Sequence, residues 1–127
     1  MKINDYVRFK YPRVSVPVQI AKIISVDYDK DEKYYFYTTD NFLVINKEDI
    51  IREPSINLID LLEEGDYIRT VNDTDFRRIY MSYGKLVIYK NEEIPIETFK
   101  NDFISEILTK EQINEIAYKI NNFKSNK

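Results

Sequence analysis

The side chains best equipped for chemistry in this 127-residue chain are arginines and tyrosines, gathered in two places. In residues 76–83, β alternation sets Arg78, Tyr80 and Ser82 on one face and Arg77, Ile79, Met81 and Tyr83 on the other. A guanidinium fork grips phosphate bidentately and an aromatic ring stacks on a base, so this face suits an anion or a nucleotide. The plainer reading is a strand that faces solvent. Arg8, Lys10, Tyr11 and Arg13 form the second group, near Pro12 and Pro17. They suit a nucleotide or an acidic protein surface, against the plain reading of a solvated loop. The candidate ligand-binding residues are therefore Arg77, Arg78, Tyr80, Arg8, Tyr11 and Arg13.

Carboxylates supply weaker candidates. Asp27, Asp29 and Asp31 alternate as at the start of a calcium loop, but position six is Glu32 instead of glycine and position twelve is Thr38 instead of glutamate. A hairpin tip is the reading kept, and no metal site is assigned. The pairs Asp73 with Asp75 and Glu92 with Glu93 read as turn chemistry. Tyr34, Tyr35, Phe36 and Tyr37 offer an aromatic wall or a protein interface.

Histidine and cysteine are both absent. Triad hydrolysis, imidazole–metal chemistry, thiolate nucleophiles, zinc ribbons and disulfides are thereby excluded. Only magnesium–carboxylate hydrolysis or carboxylate acid–base work survives, so no catalytic residue, metal or cofactor is assigned and the chain reads as a non-enzyme. A formal net charge of −3, with 32% charged residues of both signs, argues against general nucleic-acid binding through phosphate neutralisation. No apolar run resembles a signal peptide or a membrane span, so a cytoplasmic location is expected.

The elements that must position these residues are mostly strands. Periodicity predicts strands at 5–10, 18–26, 33–39 and 42–45, a helical turn or strand entry at 47–51, and turns at 27–32 and 40–41. A helix over 56–64, capped by Ser55 and closed by Gly65, carries Leu58, Leu61 and Leu62 on one stripe. Asp66-Tyr67-Ile68-Arg69 then repeats the type order of Asp5-Tyr6-Val7-Arg8. Strands follow at 76–83, 86–89, 94–96 and 103–108, with turns at 84–85 and 91–93. Thr109 and Gln112 make a capping box for a second helix with Ile113 and Ile116 facing inward. Residues 117–120 either extend that helix or form a closing strand.

The fold class is β-rich α+β: two small SH3-like or bent antiparallel sheet units joined by a short helix, with a short C-terminal helix. The expected divisions are an N-terminal β unit at 1–53, a connecting helix at 54–65, a C-terminal β unit at 66–120 and a flexible tail at 121–127.

NLIDLLEEGDYI at 57–68 and ISEILTKEQINEIAYKI at 104–120, with the opening INDYVRFK and the KEDII turn, resemble small uncharacterised phage and prophage proteins of low-GC Gram-positive bacteria. No functional residue carries over from that group. What the resemblance implies is a protein acting in the bacterial host cytoplasm against antiviral defence. On this reading the partner is a small nucleotide immune signal, sequestered intact. Two alternatives stand beside it: an anti-CRISPR-like inhibitor that uses an acidic surface or sheet edge to occupy a host defence nuclease or sensor, and a magnesium-dependent phosphodiesterase. Homo-oligomerisation is compatible with each.

Overall fold

A computed structural model describes residues 1–10 and 18–114. Tyr11 and Arg13, and the alternatives for 117–120, lie outside the described residues. The chain divides into two compact units, Met1–Leu61 and Leu62–Lys127.

In the first unit, β1 (Tyr6–Lys10), β2 (Val18–Asp29), β3 (Tyr34–Thr39) and β4 (Val44–Ile45) form an antiparallel sheet in that order. Alternation sends Val7 and Phe9 inward from β1, where they pack with Ala21, Ile23, Tyr37 and Ile45. Val26, Leu43 and Ile50 close over this core. A bulge between Ile23 and Ser25 bends β2, so its second half leaves the line set by β1. A 3-10 turn at Lys47–Asp49 follows β4; the Asp49 carboxylate accepts the Asn46 N–H at 2.9 Å, and Ile50 bridges back to Phe9.

The second unit holds two three-stranded antiparallel sheets. β5 (Tyr67–Thr70) lies between β10 (Ile104–Leu108) and β6 (Arg77–Arg78), and β8 (Lys85–Tyr89) lies between β7 (Tyr80–Ser82) and β9 (Glu93–Pro95). A helix opens at Lys110, described to residue 114. Its capping box forms as the sequence requires: Gln112 N–H donates to Thr109 Oγ1 at 3.2 Å, and Thr109 N–H donates to Gln112 Oε1 at 2.8 Å. Buried Asp66 ties the start of this helix to the turn before β5, accepting Lys110 N–H at 2.9 Å and Glu63 N–H at 2.8 Å.

The two units open on the same device. Lys2 N–H and Glu63 N–H donate to the carboxylates of Asp5 and Asp66, three residues on. The residue before each aspartate, Asn4 or Gly65, has positive φ and donates its N–H to a buried isoleucine carbonyl, Ile23 or Ile79. Those isoleucines return their N–H to the carbonyls of Asp5 and Asp66. Tyr6 then pairs with Lys22 as Tyr67 pairs with Arg78. The order continues alike: a hairpin, a short strand, and a 3-10 turn, at Lys47–Asp49 in one unit and Ile96–Thr98 in the other. The four-residue likeness at 5–8 and 66–69 thus marks a frame repeated from the opening turn to the 3-10 turn; β10 has no strand counterpart in the first unit.

Three expectations are corrected. The strand expected at 76–83 breaks at Ile79, whose main chain is used by Gly65 and Asp66, so Tyr80 starts a different sheet from Arg78. The helix expected over 56–64 shrinks to a 3-10 turn at Leu58–Leu61. Ser55 is held extended by both main-chain bonds to Tyr6, and Asp66 takes Glu63 N–H, leaving room for a single turn. Its leucines are buried as the stripe requires. Finally, β2 runs on to Asp29, so Asp27 and Asp29 stand on a strand instead of in the turn. Among the described residues, no helix is long and apolar enough to cross a membrane.

Candidate functional site

The arginine–tyrosine face is largely occupied by the protein's own acids. Arg77 Nε donates to Asp73 Oδ2 at 2.6 Å, and Nη1 donates to the Tyr89 carbonyl at 3.2 Å. This hydrogen bond, joined by the N–H of Asp75, holds the Asp73 carboxyl below the usual carboxylate range and raises the Arg77 guanidinium. Tyr80 donates its hydroxyl to Glu93 Oε2 at 2.9 Å, and Ser82 donates to Oε1 at 3.0 Å. Desolvation, then the Glu93 carboxylate, pushes the Tyr80 hydroxyl above its ordinary value. A carboxylate at that position repels phosphate. Arg78 is exposed and its side chain makes no hydrogen bond or ion pair among the described residues, so of the three it alone stays open to an anion.

Arg8 sits in the middle of β1 with none of its surface exposed, and its Nη1 donates to the Leu61 carbonyl at 3.2 Å. Its guanidinium braces the 3-10 turn instead of meeting solvent. Asp73 belongs to the Arg77 pair, and Glu93 to the Tyr80 and Ser82 hydroxyls. Among the described residues, no group of three or more acids could hold a metal ion. A cavity of about 380 Å³ is lined by Thr98, Phe99, Lys100, Asp102 and Phe103. The two rings lean on each other with centroids 5.2 Å apart, leaving no slot between them for a planar ligand.

What stands open is the far half of the β2–β3 hairpin. Past the bulge, Val26 pairs with Tyr37, Asp27 with Phe36, Tyr28 with Tyr35 and Asp29 with Tyr34. Val26 and Tyr37 still face the core, but the next pair on that side, Tyr28 and Tyr35, are 49% and 57% exposed. Their rings pack at 4.9 Å and 54°. Such a cross-strand aromatic pair contributes about 0.5–1.5 kcal/mol and helps keep a two-stranded ribbon formed in water. On the opposite side Asp27 and Asp29 lie across from Phe36 and Tyr34. Asp29 Oδ1 accepts the N–H groups of Asp31 and Glu32 at 2.9 and 3.1 Å, which closes the tip.

Comparison with protein-family models, with curated proteins and with solved structures gives no match.

The second copy of the frame supplies an internal comparison instead. Its equivalent hairpin turns directly after Ser82, through Tyr83 and Gly84, and has no such extension. Tyr34–Tyr37 are legible in the sequence as an aromatic wall, while the acidic run at 27–32 mimics a turn and masks the partner strand of the arm. The signal available was period two across Val26, Tyr28 and Ser25, Asp27, Asp29, continuing β2 without a break.

Proposed function

We propose that this protein is a non-enzymatic binding protein that docks through the β2–β3 arm on a basic, partly apolar surface of another protein. The observation that carries this reading is the arm itself: exposed aromatic side chains and alternating carboxylates on a ribbon absent from the equivalent hairpin of the second unit. Aromatic residues are the usual anchors of protein interfaces, and complementary charge steers the encounter. Asp27, Asp29, Asp31 and Glu32 outnumber Lys30 and Lys33 along the arm.

The resemblance to phage proteins supports a host defence nuclease or sensor as the partner, since a basic channel for nucleic acid is the surface such an arm would occupy. Each unit is read as an SH3-like half-barrel, supported by its run of antiparallel strands and the 3-10 turn that follows them, after β4 in the first unit and after β9 in the second. Sequestration of a nucleotide takes second place, because Arg77 and Tyr80 already bond to the protein's own acids and Arg8 is fully buried.

The test is retention of host proteins on immobilised wild type and on the Tyr28→Ser/Tyr35→Ser variant. One host protein should be held by wild type, released as ionic strength rises from about 0.1 to 1 M, and lost by the variant, whose melting temperature stays within about 5 °C. Equal retention by both, or recovery of an intact small nucleotide alone by native mass spectrometry, would overturn the reading.

A further inference from the structure

Resting on the docking role of the arm, we infer that the free edge of β3, at Tyr34, Tyr35 and Phe36, accepts an extended partner segment as an added strand carrying arginine at alternate positions. β4 pairs only with Tyr37 and Thr38. Beyond them, alternation from Thr39, whose N–H meets the Leu43 carbonyl, leaves Tyr35 as the residue whose N–H and C=O point away from β2, and neither meets a partner among the described residues. Unpaired edges are ordinarily protected by charge, proline or a bulge. The outer edge of β2 has that protection, with its bulge after Ile23 and its aspartates at 27 and 29. The β3 edge has none: three consecutive aromatic residues, without a charge, proline or bulge, offer a template for strand addition.

The side chains specify the occupant. On one face of the arm Phe36 and Tyr34 form the row next to the free edge, and Asp27 and Asp29 form the row behind them. An arginine on an added strand lies over the aromatic row and reaches the carboxylate row, so its guanidinium stacks on a ring while its fork meets an acid. Asp27 Oδ2 accepts the Ser25 hydroxyl and Asp29 Oδ1 is used in the turn. The second oxygen of each carboxylate takes no bond among the described residues. Residues between the arginines fall on the other face, beside the Tyr35 ring. A second copy fits less well: antiparallel pairing about Tyr35 sets Phe36 against Tyr34 and brings no cation to the aspartates.

The experiment uses the full chain, ¹⁵N-labelled, and a capped heptapeptide Thr-Arg-Val-Arg-Val-Arg-Thr. Binding should shift the amide signals of Tyr34–Phe36 and slow the hydrogen exchange of Tyr35, whose N–H faces the free edge. Replacing arginine by lysine should weaken binding about 3–10-fold. N-methylation of a central peptide bond, or Asp27→Asn/Asp29→Asn in the protein, should weaken it at least about tenfold. Insensitivity to N-methylation would overturn strand addition, and insensitivity to the aspartate variant would overturn arginine recognition. Protection of Tyr35 that rises with protein concentration in the absence of peptide would overturn the heterologous occupant in favour of self-pairing. If no peptide binds while Tyr28→Ser/Tyr35→Ser still loses its host protein, strand addition fails and the docking role stands. If neither effect appears, the docking role fails with it.

Discussion

Asp73 accepts from Arg77 and from the N–H of Asp75, with the Lys90 ammonium 3.9 Å away, and these partners keep its carboxyl ionised to unusually low pH. A carboxylate whose folded-state value is depressed contributes stability above its unfolded value of about 3.9, and loses it as pH falls through the folded value. The Asp73→Asn variant should therefore be less stable than wild type at neutral pH and show a shallower fall in stability below about pH 4, read from urea melts across pH. Arg8 carries a different load. Arg8→Ala should cost about 1–3 kcal/mol through the stranded Leu61 carbonyl alone, measured by urea denaturation at neutral pH. Tyr83 is 98% exposed with φ +50°, in the left-handed region that asparagine tolerates better than an aromatic residue. Tyr83→Asn should raise stability by about 0.5–1 kcal/mol in the same assay. Sequence alone could not separate Arg8 from Arg78, since alternation names a face without saying what covers it. The 3-10 turn that covers Arg8 comes from Leu61, far along the chain.

At the scale of elements, the arm is an extension laid on a complete frame. Joining Ser25 to Thr38 through a two-residue Asn-Gly turn removes the exposed pairs together with the core-facing Val26–Tyr37 pair, while keeping Val7, Phe9, Ala21, Ile23 and Ile45. The shortened protein should unfold cooperatively within about 5–10 °C of wild type, with its circular dichroism still strand-like, and should retain no host protein. Loss of folding would show that Val26 and Tyr37 are indispensable to the core. Most strands were legible because their side chains alternate cleanly, β1 and the capped helix at Lys110 above all. The break at Ile79 was not. Its alternation continues through the break, and only the long-range bonds to Gly65 and Asp66 end the pairing there. The helix expected after Ser55 failed for a related reason, as Ser55 is claimed by Tyr6 before it can start one.

Across the whole molecule, protection should be graded. Amides of β1 and of β2 up to Ile23, which pair with each other beside the buried core, should exchange slowest, and those of residues 26–36 fastest among the strands. Hydrogen-exchange mass spectrometry reads this directly, and an arm as slow as β1 would contradict its description as a bare ribbon. The repeat was visible in sequence only as Asp-aromatic-apolar-basic, because the rest of the frame is written in main-chain bonds that many sequences can make.

That repeat also bears on how the chain reaches its native state. Two stretches that open with the same aspartate-locked turn and strand pair are rivals for each other's pairing partners during refolding, and such tandem likeness is a source of kinetic traps. The arginines at equivalent places act as labels against the exchange. Arg8 requires the Leu61 carbonyl in a closed setting, while Arg69 forms an ion pair with Glu106 and donates to the Asp73 carbonyl at 3.1 Å. Either strand in the other's place would strand a charge, so mispaired chains are energetically marked for reopening, at the cost of a guanidinium buried in the first unit.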